Sequence, residues 1–428
     1  MIFIEHLCYN KNMRKILHSD LNNFYASVEC LLNPELREFP VVVCGKVSDR
    51  HGVVLAKNMI AKKAGIKTGM VLYQAYNLCP NLKAVEAHHD LYNKYSKAVK
   101  DIYREYTDRV ESFGIDEAWI DITNCHKHGG DAFKIAEEIR NRVKTEIGLT
   151  VSIGVSFNKI FAKLASDIKK PDATTVIDKQ NYKQIVWPMP VEDLLYVGRA
   201  TKDKLNTLTI KTIGDLANFN KAILRTKLGK WGEVLHDYAN GLDTDIVHTH
   251  AEMDDIKSVG NSLTFYRDLK CDTDIQALLI LLAESVCTRM LNYGYKMART
   301  VHLTIITNNL QHITRMSKIC PTNLAADISN KAFEMFKKHF AWGNCLVRGL
   351  GISLSDFVEE EQLSLDSECM QKQRNKKLQD AVETLRNRFG RNIINKAIVY
   401  TDERMSKLNI MEEHVIKPGK ETKAEFCE

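Results

Sequence analysis

Three carboxylates give this sequence the means for metal-assisted chemistry. Asp20 ends a short apolar run, and Asp116 and Glu117 stand at the corner of a predicted hairpin over 110–123. Adjacent side chains of a flat strand point to opposite faces, so Asp116 and Glu117 can share an ion only at a turn, which Gly114 would permit. Carboxylates are preferred ligands of Mg²⁺, and two such ions support phosphoryl transfer. Asp and Glu also cap helices and turns, and the triad alone does not decide between the two interpretations.

The elements that must position these carboxylates alternate strands with helices. Apolar runs and helical periodicity predict a strand, a long insertion, a helix, a hairpin, a helix and a strand. Their ranges are 15–21, 24–89, 89–108, 110–123, 131–147 and 151–157. This order predicts an α+β fold with a split βαβ (ferredoxin-like) sheet that carries an inserted subdomain.

The rest of the chain changes in texture after residue 193. Short helices around a Val-Gly hairpin are followed by a polar stretch at 247–256, which we interpret as a linker. Residues 257–354 spell a second βαββαβ unit with the architecture of the first but no carboxylate cluster. The last residues are charged, with one helix predicted at 370–390, and are interpreted as a tail.

Composition excludes several classes of protein. The chain has 428 residues, 44% of them hydrophobic and 27% charged, which is typical of globular proteins and excludes wholesale disorder. No window reaches the length of a membrane span, and the opening MIFIEHLCYN lacks the basic start of a signal peptide. The 11 cysteines form no Cys-x-x-Cys pair, which predicts reduced thiols in the cytoplasm. The Cys and His residues at 125–128 have no partner pair, so we do not expect a zinc site there.

Four stretches carry a resemblance to a known family. They resemble the Y-family translesion DNA polymerases, above all the bacterial DNA polymerase IV branch, and the similarity is collinear from about residue 13 to residue 356. The stretches are SDLNNFYASVE (19–29), VVLAKNMIAKKAGIKTGM (53–70), SFGIDEAWIDIT (112–123) and SIGVSFNKIFAKLASDIKKP (152–171).

The resemblance implies roles for the carboxylates. Asp20 and Asp116 match the two metal-bridging aspartates, and Glu117 matches the third catalytic carboxylate. The backbone carbonyl of Leu21 is expected to complete a site for two Mg²⁺ ions. Tyr25 falls where the family places its steric gate, a ring beneath the sugar that would clash with a ribose 2′-hydroxyl. The plain alternative for Tyr25 is a core aromatic.

The resemblance also implies a nucleotide-binding set with some departures. Asn23, Phe24, Lys62 and Lys170 match positions that contact the nucleotide, although the two lysines could equally be solvated surface residues. Lys62 stands where the fingers usually offer an Arg, so the phosphate clamp would be a point charge. Further departures are Met59 for Tyr, Asn22 for a second Asp and Gly114 for Ser.

The family implies a right-hand polymerase with four domains. The expected divisions are a catalytic palm at 13–23 and 90–179, fingers at 24–89, a helix-hairpin-helix thumb at 180–246, a linker at 247–256, a DNA-binding little finger at 257–355 and a tail at 356–428.

DNA is expected to contact the thumb and the little finger. Gly198 and Arg199 belong to the helix-hairpin-helix, whose contacts would not depend on sequence. Residues 257–352 hold twelve Lys or Arg against six Asp or Glu, which equals the excess of +6 for the whole chain. Five of these basic residues are predicted DNA contacts: Lys257, Arg267, Arg299, Arg315 and Arg348. Their alternative is a solvated face.

A short peptide in the tail resembles a bacterial sliding-clamp ligand. Gln362, Leu363 and Leu365 match its pattern, but Asp366 stands where the usual final aromatic would be. Such peptides dock as extended segments in a groove.

The sequence therefore predicts a low-fidelity, template-directed translesion DNA polymerase. It would add nucleotides from deoxynucleoside triphosphates to the 3′-hydroxyl of primer–template DNA and release pyrophosphate. We expect a monomeric, cytoplasmic protein with no membrane contact and a natural start at Met13. The alternatives are an inactive DNA-binding scaffold of the same family and a nucleotidyl cyclase-like enzyme on the same palm.

Overall fold

The computed structural model describes residues 14–45, 52–252, 255–343, 345–359, 367–390 and 393–408. The chain divides into two compact units, one made of the described residues up to 252 and one of those from 255 onward. In these ranges no helix combines the length and apolar character needed to cross a membrane. Residues 1–13, where the two candidate start sites lie, are outside the described residues.

The first unit contains two sheets. Its strands are β1 (Ile16–Leu21), β2 (Val41–Cys44), β3 (Val54–Lys57), β4 (Lys83–Glu86), β5 (Val110–Ser112), β6 (Glu117–Asp121), β7 (Val151–Ser156) and β8 (Thr174–Ile177). Its helices are α1 (Phe24–Leu32), α2 (Met59–Lys63), α3 (Leu72–Leu78), α4 (His89–Arg104), α5 (Ala132–Arg142), α6 (Lys159–Ile168), α7 (Tyr182–Val186), α8 (Arg199–Thr207), α9 (Ile213–Asn218), α10 (Lys221–Leu228) and α11 (Lys230–Ala239).

The larger sheet has the strand order β5-β6-β1-β7-β8. β1 lies between β6 and β7 and pairs antiparallel with both, and β8 runs parallel to β7. All six residues of β1 are buried, because strands flank it on both sides and helices cover it. The four strands β5-β6-β1-β7 of this sheet have the ferredoxin-like arrangement that the sequence predicts.

Helix α6 packs directly onto this sheet because Gly154 of β7 has no side chain. A Cβ built at Gly154 would lie 1.9 Å from the carbonyl oxygen of Ala162, so no other residue fits there. This close approach brings the side chains of α6 onto β1. α4 and α5 pack with the apolar cluster that includes Leu17, on the other side of β1.

The insertion forms a smaller sheet in the order β3-β2-β4 with α2 and α3 and has its own apolar cluster. Helix α1 instead buries Phe24, Ala26 and Val28 in the cluster of the larger sheet. A third cluster joins α6 to the short helices α7–α11. The predicted domain boundaries stay predictions.

The sheet of the second unit follows the β-α-β-β-α-β order that β1, α4, β5, β6, α5 and β7 follow in the first unit, but its strands are arranged in a different order. The elements of the second unit are β9 (Ser258–Leu269), α12 (Asp272–Asn292), β10 (Met297–Thr307), β11 (His312–Thr322), α13 (Ala325–His339), β12 (Val347–Val358), α14 (Ser367–Phe389) and α15 (Glu403–Ser406). The sheet order is β11-β10-β12-β9, and every pair is antiparallel. The first strand therefore lies at an edge, and the expectation that this unit repeats the architecture of the first is wrong in strand order.

The described C-terminal residues are part of this second unit, which corrects their interpretation as a tail. Val399 and Met405 are 0% and 1% exposed and join the apolar cluster beneath α12 and α13. Arg386 of α14 pairs with Glu284 of α12, with 3.1 Å between Nη1 and Oε2. This charged segment thus completes a core, because its Val399 and Met405 side chains are buried. The predicted clamp peptide, Gln362 to Leu365, lies outside the described residues.

Candidate active site

The predicted catalytic carboxylates meet at one corner of the larger sheet. Asp20 of β1 lies directly opposite Glu117 of β6 in the antiparallel register, so both side chains share a face. Asp116 precedes β6, and its carbonyl accepts a hydrogen bond from the Leu21 amide at 3.0 Å. The structure therefore brings Asp20, Leu21, Asp116 and Glu117 together.

Gly114 lets the Asp116 carboxylate fold back beside its own chain. A Cβ at Gly114 would lie 3.2 Å from Oδ1 of Asp116, closer than an ordinary contact. Asp116 lies in the bend between β5 and β6 and so escapes the alternation that would send it to the face opposite Glu117.

Two lysines contact the carboxylates. Lys170 Nζ lies 2.6 Å from Asp20 Oδ2 and 2.7 Å from Asp167 Oδ1. Lys163 of α6 contacts Glu117 Oε2 at 2.5 Å. Lys170 was a sequence prediction and Lys163 was not; Lys163 lies on α6, whereas Lys170 lies two residues beyond the end of that helix.

His18 is a second neighbour that the sequence reasoning missed. It lies two residues before Asp20 on β1 and so shares its face, is fully buried, and places Nε2 3.4 Å from Glu117 Oε2. Its Nδ1 is 2.9 Å from the Ser166 hydroxyl. The period of two along β1 is the signal that could have found it.

The electrostatics of the three carboxylates differ. Burial, with neighbouring carboxylates, raises the pKa of Asp116 and of Asp20 above the ordinary range, and for Asp20 it outweighs the Lys170 charge. Burial alone would also raise the pKa of Glu117, but His18 and Lys163 hold it low, at about 2. Burial lowers the pKa of His18 to about 4, which keeps its imidazole neutral at pH 7.

This donor set fits a divalent cation. Carboxylates with raised pKa values form a site with surplus negative charge, and hard oxygen ligands suit Mg²⁺. Across the described ranges, no group of three or more His, Cys, Asp or Glu side chains is arranged to hold a metal ion. Asp20 and Glu117 contact lysines. The predicted ligand set stays a prediction.

Tyr25 lies beside the carboxylate corner. Burial, with the negative charge of Asp116, raises the pKa of its phenol. Its ring stacks on Tyr92 of α4 with centroids 4.2 Å apart and an angle of 13°. Asn23 caps α1 in a left-handed conformation with φ of 50°.

The other two predicted nucleotide contacts, Lys62 and Phe24, differ in their exposure. Lys62 is exposed in the last turn of α2. The Phe24 side chain is 3% exposed and packs in the core, and the predicted contact of Phe24 with the nucleotide stays a prediction. The apolar neighbours of Phe24 hold its ring in the core.

A cleft lies beside α6. It has a volume of about 530 Å³ and is lined by Lys163, Asp167 and the segment 192–198. Gly198 begins α8 with open space where a Cβ would stand, and Arg199 follows it, exposed. The two predicted thumb contacts therefore lie on the surface.

The sheet of the second unit has one open face. Register and burial place apolar residues such as Leu303 and Ile352 toward the helices and small or polar residues on the other side. That side, the open sheet face, is formed by Ser258, Gly260, Ser262, Thr300, His302, Thr304, Thr314, Met316, Lys318, Gly351, Ser353 and Ser355.

The predicted basic DNA contacts are not equivalent. Lys257, Arg299 and Arg315 are exposed and Arg348 is half-buried. Arg267 pairs with Asp274 of α12 and Asp402, at 2.8 and 3.0 Å, so its guanidinium is engaged within the second unit, and its DNA contact stays a prediction. Its odd position on β9 puts it on the helix side with Phe265 and Leu269.

Comparisons with known proteins agree with this geometry. Residues 19–167 match the impB/mucB/samB family, 256–367 match the C-terminal domain of that family, and 192–243 match the thumb domain of DNA polymerase-iota. DNA polymerase IV of Acetivibrio thermocellus is 48% identical over 399 residues, covering 92% of this chain and 100% of that protein.

Further relatives extend the match. DNA polymerase IV of Clostridium kluyveri is 38% identical, over 89% of this chain and 97% of that protein. A solved Y-family DNA polymerase chimera superposes with a TM-score of 0.71 and 23% identity, covering 81% of this chain and all of that one. The chain belongs to the Y family of DNA polymerases, among the DNA polymerase IV proteins. The α+β fold class and the family resemblance predicted from the sequence are confirmed.

Proposed function

We propose that this protein is a template-directed translesion DNA polymerase of low fidelity. It transfers a deoxynucleotide from its triphosphate to the primer 3′-hydroxyl and releases pyrophosphate. The observation that carries the proposal is the convergence of Asp20, Asp116 and Glu117 at one sheet corner, in a chain that belongs to this family.

The carboxylates are proposed to hold two Mg²⁺ ions together with the Leu21 carbonyl. When bound, such ions lower the pKa of the primer hydroxyl and neutralise the charge that develops on the phosphates. Asp20, Asp116 and Glu117 would supply the side-chain oxygens that hold these ions, as the resemblance to the family implies. Their burial keeps bulk water from screening these charges.

Lys170, Lys62 and the backbone at Asn23 are proposed to bind the triphosphate. Lys170 sits 2.6 Å from Asp20, so its ammonium is already beside the place where the departing phosphates would carry charge. Tyr25 is proposed as the steric gate that excludes ribonucleotides, since its ring is held in an aromatic stack and the Asp116 charge acts on its phenol.

The open sheet face is proposed to bind duplex DNA without reading its sequence. Gly, Ser and Thr allow the phosphate backbone to approach the strands closely, and Lys318 adds positive charge on this face. The exposed Arg299 and Lys257 add positive charge elsewhere on the same unit. Gly198 and Arg199 would add phosphate contacts at the start of α8.

Three finer assignments extend this function. Gln362, Leu363 and Leu365 are proposed to bind a sliding clamp, supported by their pattern and by their place in the sequence between β12 and α14. The protein is proposed to act as a monomer in the cytoplasm, since its thiols show no framework of disulfide spacing.

Both alternatives are weaker. A cyclase-like enzyme would not need a match to a polymerase thumb domain at 192–243. An inactive scaffold would not need three acidic residues at one buried corner, where two of them have raised pKa values that oppose folding.

Primer extension tests the proposal directly. The wild type with Mg²⁺ should extend a primer on an undamaged template and past a single damaged base. Glu117→Ala should lower the single-turnover rate by about 10³-fold or more, because it removes a group that acts in the transition state. Absence of extension by the wild type, or an undiminished rate in Glu117→Ala, would contradict the proposal.

A further inference from the structure

A buried tyrosine lies beneath the proposed gate and is held at both ends by α1. Tyr25 and Glu29 are four residues apart, so they share one face of α1. The ring of Tyr92 stacks on Tyr25 at 4.2 Å, and its hydroxyl donates a 2.6 Å hydrogen bond to Glu29 Oε1. Tyr92 is 0% exposed and Glu29 is 1% exposed.

The first turn of α4 completes this arrangement. His88 Nδ1 lies 2.9 Å from the same Oε1 of Glu29, so this oxygen contacts both His88 and the Tyr92 hydroxyl. The His89 ring meets Tyr25 edge-on at 5.9 Å and 84°. Tyr25 therefore rests on side chains of α4 whose position is fixed by a carboxyl on its own helix.

We infer that Glu29 is a positioning residue for sugar selectivity and acts through Tyr92 on Tyr25. This inference rests on the proposed function, since it assumes that Tyr25 excludes ribonucleotides. A gate that rejects one hydroxyl must hold its ring within a fraction of an ångström of the sugar, because a loose ring yields to the added atom. The hydrogen bond to Glu29 restricts the movement of the Tyr92 ring, so the Tyr25 ring stacked on it keeps its position relative to the sugar.

The chain supplies a matched control at the other end of α4. Tyr106 donates a 2.6 Å hydrogen bond to Glu138 Oε1, and His128 contacts Glu138 Oε2. This is the same Tyr–Glu–His combination with the same length of the Tyr–Glu bond. Tyr106 is also buried, at 7% exposed. Its ring contacts Lys127 and Arg142 and makes no stack with the gate.

The experiment measures kcat/KM for a deoxynucleotide and for the matching ribonucleotide in single-nucleotide insertion. Tyr92→Phe removes only the donor and Glu29→Met only the acceptor. Each should lower the deoxy-to-ribo ratio by about tenfold, an order of magnitude expected for a displaced positioned group. The change should appear mainly in the KM and kcat of the ribonucleotide. Glu29→Gln keeps an acceptor oxygen and should restore the ratio to within about twofold of the wild type.

The controls separate a positioning role from loss of stability. Tyr106→Phe and Glu138→Met should lower thermal stability to a similar extent and leave the ratio unchanged. A wild-type ratio in Tyr92→Phe and in Glu29→Met would overturn the inference, as would an equal shift in the control pair. If Glu29→Met does not fold, Tyr92→Phe decides alone.

The outcomes also distinguish this inference from the proposed function. If the wild type extends primers and Tyr25→Ala admits ribonucleotides while Tyr92→Phe does not, only the role of Glu29 is wrong. If Tyr25→Ala admits none, the gate and the inference are both wrong although the polymerase stands. If the wild type extends no primer, the proposed function itself is wrong.

Discussion

The larger sheet of the first unit, apart from its insertion and β8, and the sheet of the second unit share an order of elements. They differ in the order of their strands. Both run β-α-β-β-α-β. In the first, the opening strand β1 lies beside β6, so Asp20 at the end of β1 faces Glu117 at the start of β6. In the second, the opening strand β9 lies at an edge beside β12, and no hairpin corner meets its end. Strand order therefore decides which unit can assemble a carboxylate site.

The units also differ in what covers their sheets. The first buries β1 completely and uses the burial to perturb charged groups. The second leaves one face of small and hydroxyl-bearing residues open, while the C-terminal segment with Val399 and Met405 seals the helical side. These differences support the proposal that the first unit carries out the chemistry and the second unit binds DNA.

The largest expected effect tests the sealed side of the second unit. Met405→Ala should destabilise that unit by about 2–5 kcal/mol, because a buried Met lost from a core leaves a cavity. Amide hydrogen exchange of peptides from α12 and β12 reports it. Lys407→Ala, an exposed neighbour, is the control and should change little. Equal exchange in both variants would mean that the segment is a tail after all.

A smaller effect tests the energetic cost of the carboxylate corner. The pKa of Asp116 is raised in the folded state, so folding binds an extra proton between the ordinary Asp pKa and that raised value. Stability therefore falls as pH rises through this window. In urea titrations with EDTA at pH 8, Asp116→Asn should raise the free energy of unfolding by about 0.5–2 kcal/mol. This gain in stability should fade toward pH 4.

Glu117 should behave in the opposite way. Its pKa is lowered to about 2, so its ionised form contributes stability that is lost as pH falls from 4.5 to about 2. Glu117→Gln should therefore destabilise the protein at pH 8 in the same urea titrations. The same sign of change for Glu117→Gln and Asp116→Asn would refute the electrostatic account of the corner.

The smallest effect tests the open sheet face. Lys318→Ala should weaken primer–template binding about three- to fivefold and lower the salt slope by about 1, as expected for one lost phosphate contact. Lys338→Ala, exposed on α13 at the helical side, should leave both unchanged. Fluorescence anisotropy at several salt concentrations measures this, and identical results for the two lysines would exclude the face as the DNA surface.

Much of the first unit could be predicted from the sequence because its signals are local. Apolar runs fix β1 and β7, and the bend at Gly114 explains how Asp116 and Glu117 reach one corner. His18 could have been predicted from the strand period that puts it on the same face as Asp20, whereas no helical period links Lys163 to Lys170, which lies beyond the end of α6. His18 and Lys163 were missed because the carboxylates alone were followed.

The second unit was less predictable because its features depend on distant contacts. Strand order is set by packing, which a β-α-β-β-α-β pattern does not encode. Arg267 was counted by charge alone, while its position on β9 turns it toward Asp274. Val399 lies in a short apolar run at 397–400 and Met405 stands alone, and no helical or strand period marks either of them as core.

The division of work between the two units is tested most directly by measuring binding and chemistry on the same samples. Anisotropy gives the Kd for primer–template DNA, and single-turnover extension at saturating DNA gives the chemical rate, for Glu117→Ala and Lys318→Ala. We predict that Glu117→Ala loses the rate and keeps the Kd, and that Lys318→Ala weakens the Kd and keeps the rate. A loss of rate in Lys318→Ala at saturating DNA, or a wild-type rate in Glu117→Ala, would contradict the account.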